Sequence, residues 1–165
     1  MAYRNKTYVI FDGDEDMWAY GFMKGWKQSE HIDFDFYDAH DINGIRDGSG
    51  EETVKRRLRE RLANTKQAIV VIGEKTKNLY RYVRWEIETC LNKGIPIVAT
   101  NLNGSRRIDD RCPPVLRDKD AIFVPFRARI IKYALDDFVD NFGNYQGKGD
   151  NWHYVDKVYR DLGLE

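Results

Sequence analysis

An α/β fold around a central parallel sheet is predicted by two observations. Short apolar runs alternate along the chain with helical patterns, which is the signature of such a sheet. The clearest run, "QAIVVIG" (Gln67 to Gly73), is continuous and β-branched, as a strand covered on both faces must be.

The elements follow in order. "TYVIF" (Thr7 to Phe11) reads as the first strand, followed by an acidic loop and a helix from about Met17 to Trp26. "DFDFYD" (Asp33 to Asp38) alternates in polarity, so it reads as an edge or half-exposed strand. A long glycine-containing loop, "AHDINGIRDGSG", comes next. Ser49-x-x-Glu52 then has the spacing of a capping box at a helix start. Val54, Leu58 and Leu62 repeat at helical spacing as the core stripe, and Lys55, Arg56, Arg59 and Glu60 read as its solvated face.

After "QAIVVIG", the helix "YVRWEIETCLNKG" is stopped by Gly94. "IPIVAT" and "AIFVPF" (Ala121 to Phe126) supply the fourth and fifth strands, and a helix runs from about Arg127 to Asn141. A Gly/Asn-rich hinge, "GNYQGKGDN", leads to a short helix in "WHYVDKVYRDL". The expected architecture is one flavodoxin-like domain over residues 1–142, a five-stranded parallel sheet flanked by helices. An extension, 143–165, packs on or beside it.

Composition narrows the function. The chain has 165 residues, enough for one domain with a proper core. Lys plus Arg and Asp plus Glu are each 27, so no net field draws the protein to nucleic acid or to an anionic membrane. No apolar run approaches the ~20 residues that span a bilayer, and the first residues lack the apolar core of a signal peptide. Cys90 and Cys112 stand alone without CxxC spacing, which suggests neither zinc nor a disulfide framework. A reduced, cytoplasmic location is expected. Aromatic residues make up 13% of the chain, more than packing alone needs.

In open parallel sheets, ligands bind outside the carboxyl ends of the strands. Those ends carry Phe11, Asp12, Tyr37, Asp38, Gly73, Lys75 and Thr76, and the helix holding "YVRWEIE" starts there too. At 100° per residue, Val83, Ile87 and Cys90 define the buried direction of that helix. Glu88 then lies about 120° away and Glu86 only about 80° away, on the shoulder. Glu88 is expected in solvent and Glu86 half-sunk, near the helix start that faces the ligand edge.

Several stretches carry a family resemblance: "YVIFDGDED", "GEETVKRRLRERLANTKQAIVVIGEKT" and "YRYVRWEIETCLNKGIPIVAT". Over about residues 7 to 140 the chain resembles the TIR-like domain proteins of the bacterial Thoeris anti-phage defence system. The most specific piece is the aromatic-x-x-x-Glu spacing from Tyr82 to Glu86. TIR enzymes that cleave NAD place their catalytic glutamate at that spot. The resemblance therefore implies NAD as substrate, with cleavage between nicotinamide and ribose and Glu86 as the catalytic carboxylate. It favours cyclisation to a cyclic ADP-ribose isomer, a diffusible nucleotide that activates a separate effector after a phage trigger. It also implies self-assembly.

The chemistry suits the residues, since an ionised carboxylate stabilises a ribose that becomes oxocarbenium-like. No metal or cofactor is called for. Around it, Phe11, Tyr82 and Trp85 offer rings for stacking, Gly73 permits close backbone approach, and Lys75 and Thr76 suit phosphate or ribose. Asp12 and Asp38, at strand ends, complete the expected substrate contacts. Each has a plainer role open to it: Phe11 as core, Lys75 as a loop charge, Trp85 facing solvent or a partner subunit.

The acidic group Asp12, Asp14, Glu15, Asp16 resembles that of phosphoacceptor receiver domains. "VVIGEKT" has no aspartate at the third strand end, which removes phosphotransfer. Asp14 is expected to cap the following helix. His31, His40 and His153 show no partner spacing. Two other functions compete: a TIR-type interaction module without chemistry, using exposed aromatics of the last segment, and a flavodoxin-like mononucleotide binder.

Overall fold

The run Gln67–Ile72 forms a strand buried along its whole length, inside an all-parallel sheet. The computed structural model describes residues 7–28, 50–79 and 82–164. Its strands are β1 (Thr7–Ile10), β2 (Gln67–Ile72), β3 (Ile97–Asn101), β4 (Ala121–Pro125) and β5 (Asn151–His153), side by side in chain order. The helices are α1 (Met17–Gln28), α2 (Glu51–Ala63), α3 (Val83–Asn92), α4 (Ala128–Asp140) and α5 (Asp156–Asp161). This is the expected flavodoxin-like α/β arrangement.

The sheet shows five strands among the described residues, and four of them are expected ones. "DFDFYD" lies outside the described residues, as do His31, His40 and Ser49. The fifth described strand, β5, comes from the segment read as a hinge leading to a short helix, and that helix follows as α5. Asp120 holds that segment: its carboxylate accepts the amides of Gly147 and Gly149, each at 2.7 Å. The Asn151 side chain then donates to the carbonyls of Leu116 and Lys119 and accepts from the Asp118 amide. These bonds set Ala121 opposite Asn151 and Phe123 opposite His153. The glycine-rich stretch is therefore a tied loop.

Strand alternation divides the core between two faces. Val9, Ile69, Val71, Val98, Ile122 and Val124 pack under α1, α4 and α5. Tyr8, Ile10, Ala68, Val70, Ile97 and Phe123 pack under α2 and α3. Val54, Leu58 and Leu62 are buried, as their spacing predicts. Gly94, at φ 68°, closes α3: its amide bonds the Leu91 carbonyl and that of Ile95 bonds Cys90.

Three expectations are corrected here. The cap of α2 is Gly50, not Ser49. The helix starts at Glu51 with Glu51 and Glu52 in its first turn, where carboxylates suit the positive end of the dipole. Lys55 and Arg59 are not simply solvated, because both lie over the Trp85 ring, at 5.7 and 6.0 Å. The aromatics of the last segment are not an exposed set: Tyr159 is fully buried, and Trp152 and Tyr154 are half-buried against Tyr145 and Tyr133. No helix among the described residues is long and apolar enough to cross a membrane. Cys90 and Cys112 are buried free thiols, and burial pushes both up to about 12.

Candidate functional site

Two groups of side chains stand out around the first two strands. The first is at the carboxyl ends of β1 and β2. Asp12 is 3% exposed and its carboxylate accepts the amides of Asp14 and Glu15, at 3.0 and 3.3 Å. This folds the loop into a turn in which Asp16, not Asp14, immediately precedes α1. The expected capping role of Asp14 is thus corrected: its side chain is exposed two residues before the cap position.

The Asp16 carboxylate is turned instead onto Gly73. A Cβ at Gly73 would stand 2.2 Å from Asp16 Oδ2, so this contact exists only because residue 73 lacks a side chain. Gly73→Ala is expected to cost about 1–2 kcal/mol by overpacking, read by urea unfolding, with most of the loss recovered in a Gly73→Ala/Asp16→Ala double variant. Thr76 closes the group: its hydroxyl accepts the Gly73 amide at 2.9 Å and lies 3.5 Å from Asp16 Oδ2.

Burial, and then the neighbouring Asp12 carboxylate, hold the Asp16 carboxyl above its usual 3.8. The folded chain therefore binds this proton more tightly than the unfolded chain. The stability so contributed is full below pH 3.8 and is lost as pH rises through the raised value. Asp16→Asn is accordingly expected to raise the unfolding midpoint at neutral pH, with the gain vanishing in acid. A gain that persists in acid would assign the effect to packing.

The second group sits on the α2/α3 face of the sheet. Glu86 is 2% exposed, deeper than its shoulder angle predicts. The reason is Tyr8, whose hydroxyl reaches up from β1 and donates to Glu86 Oε2 at 2.5 Å. That face is otherwise lined by Ile10, Leu58, Val70, Val83 and Ile87. A carboxylate there depends on polar partners, since burial of an unsatisfied charge is prohibitive. Glu88 lies on the outer side, paired with Arg84 at 2.9 Å, as expected.

The remaining expected contacts divide between these groups. Gly73, Thr76, Asp12 and Lys75 come together at the strand ends, where Lys75 is exposed and pairs with Glu15 at 3.2 Å. Phe11 is buried and stacks on Tyr20, with centroids 5.0 Å apart and planes at 9°, so that one face is already covered. Tyr82 and Trp85 flank the start of α3, half-buried, with Trp85 turned toward α2. Asp38 lies outside the described residues. Beside the α3 start, a cavity of about 180 Å³ is walled by Thr76, Leu79, Val83, Arg84 and Pro113 to Val115.

Sequence reading missed Tyr8 and the role of Asp16. Tyr8 had a usable signal, since it shares strand parity with Ile10 and so faces the same helices as Glu86. Asp16 had none, because its role comes from a glycine 57 positions away, 73 minus 16. The family model described as "Thoeris protein ThsB, TIR-like domain" matches residues 8–107. The matched span contains both groups.

Proposed function

The chain belongs to the family of the Thoeris protein ThsB, TIR-like domain, which gives it a role in Thoeris defence, and on that premise we propose that it is a NAD-cleaving signalling enzyme. In this reading Glu86 faces the ribose as the bond to nicotinamide breaks. The bonding electrons leave with nicotinamide, positive charge develops on the sugar, and the carboxylate stabilises it. An adenine nitrogen or a ribose hydroxyl, held close, then attacks in place of water and closes a cyclic ADP-ribose isomer. That nucleotide carries the signal to a separate effector.

One observation supports this most: a single glutamate, one turn into α3, is buried in an otherwise apolar face and held by a phenol from β1. A surface-stabilising glutamate needs neither feature. Tyr8 is the positioning residue, holding the carboxylate in a fixed orientation through its Oε2 atom. At 2% exposure the carboxylate cannot reach a ribose without local opening. Such closure suits an enzyme silent until a phage trigger or self-assembly opens it. At the strand ends the exposed Lys75 is the phosphate contact of this reading, while Asp12, Gly73, Thr76 and Phe11, buried in contacts of their own, meet substrate only after the same opening. Tyr82 and Trp85 flank the start of α3, and Asp38 is a further proposed contact outside the described residues.

The test is direct. Lysates of phage-challenged cells expressing the protein, incubated with NAD, should release nicotinamide and a product of cyclic ADP-ribose mass by mass spectrometry. ADP-ribose alone would replace cyclisation with hydrolysis. Protection from phage with no NAD consumed would leave a TIR-type interaction module as the function.

A further inference from the structure

Independently of the NAD reading, the sheet holds a second concave site, at the carboxyl ends of β3 and β4. A cavity of about 290 Å³ opens there, walled by Leu102, Gly104, Arg106, Phe126, Arg127 and Tyr159. None of these residues belongs to the groups around Glu86 and Asp16. Leu102 directly follows β3 and Phe126 directly follows β4, so the cavity has the position at which parallel sheets seat ligands.

Its chemistry is cationic. Arg106 Nη2 and Arg127 Nη1 converge on one atom, the carbonyl oxygen of Leu164, at 3.5 and 3.3 Å. Arg106 also lies 4.0 Å from the Tyr159 ring centroid and 3.5 Å from a largely exposed Asp156 carboxylate. Arg127 makes no ion pair among the described residues. Two guanidiniums thus share a neutral acceptor, although their planar forks suit phosphate oxygens far better.

Tyr159 adds an independent sign. It is fully buried in the cavity wall, and its hydroxyl has no hydrogen-bond partner among the described residues. Burial pushes the phenol up to about 12, so it keeps its proton and remains a donor without an acceptor. An unsatisfied buried donor thus belongs to one of the residues that line the cavity.

We propose that this cavity binds a small phosphorylated ligand, whose phosphate oxygens take the place of the Leu164 carbonyl between Arg106 and Arg127. Its size is at the lower end of the ~300–1,000 Å³ range of small-molecule pockets, which suits a phosphate or diphosphate group rather than a whole dinucleotide. The half-buried Phe126 ring gives the ligand's carbon skeleton an apolar wall. The last segment then acts as a placeholder that the ligand displaces.

Inorganic pyrophosphate is the probe, titrated calorimetrically into the full chain. Arg127 is exposed, so its variants are expected to fold. Loss of one charge-assisted contact should weaken binding about tenfold or more in Arg127→Gln, with partial retention in Arg127→Lys. Binding should be unchanged in Lys75→Gln, and amide exchange at Leu164, whose N–H bonds the Tyr159 carbonyl, should accelerate on saturation. Wild-type affinity in Arg127→Gln, or no binding to the parent protein, overturns the proposal. So does loss in Lys75→Gln alone, which would assign the anion to the NAD cleft and leave the enzymatic reading standing.

Discussion

Glu86→Gln is expected to lower NAD turnover by about 10²–10³-fold with the fold intact, the scale on which removal of one preorganised electrostatic group acts. The substitution keeps shape and volume, and the amide oxygen still accepts from Tyr8. What disappears is the negative charge. Because the surroundings are apolar, that charge acts at close range with little water to screen it, and its absence is felt at the sugar when positive charge develops. Nicotinamide release should be compared at equal protein concentration, alongside thermal unfolding of both proteins. Turnover that survives in a normally folded variant would remove Glu86 from the chemistry.

Tyr8→Phe is the second large effect, and it separates positioning from catalysis. Deleting a hydroxyl that bonds a buried carboxylate is expected to cost about 1.5–3 kcal/mol of stability. In the Glu86→Gln background the same deletion removes only a neutral bond, worth about 0.5–1.5 kcal/mol. Urea unfolding of the four proteins should therefore show the double variant losing less stability than the sum of the two single losses. Activity should fall through kcat more than through KM, since the carboxylate persists but is no longer fixed. Additive stability losses would mean that the bond does not organise the site.

The fold was legible wherever burial imposes a period. Val54, Leu58 and Leu62, the β-branched run of β2, and the Gly94 stop on α3 all lie where spacing placed them. In the last segment the short helix was legible, but β5 was not, because it is only three residues long, too short for any alternation to show. Its strand state rests on Asp120 and on the Asn151 side chain, partners that no local pattern announces. The candidate site divides in the same way. Helical angle singled out Glu86 over Glu88, because a helix of known start turns by a constant step. Its depth was underestimated, since the angle knows nothing of a tyrosine rising from another strand. The Asp16–Gly73 contact and the Trp85 stack under Lys55 and Arg59 are products of packing between distant segments.

The short strand β5 has a practical consequence. It pairs with β4 and so covers the hydrogen-bonding groups along the outer side of Ala121, Ile122 and Phe123. A chain shortened at residue 142 would bare that row of amides and carbonyls beside Ile122 and Phe123, both buried in the intact protein. Open edges of this kind recruit strands from other molecules. Trimming what looks like a dispensable tail should thus yield insoluble, clumping protein, and loss of activity on truncation would report stickiness before it reported anything about chemistry.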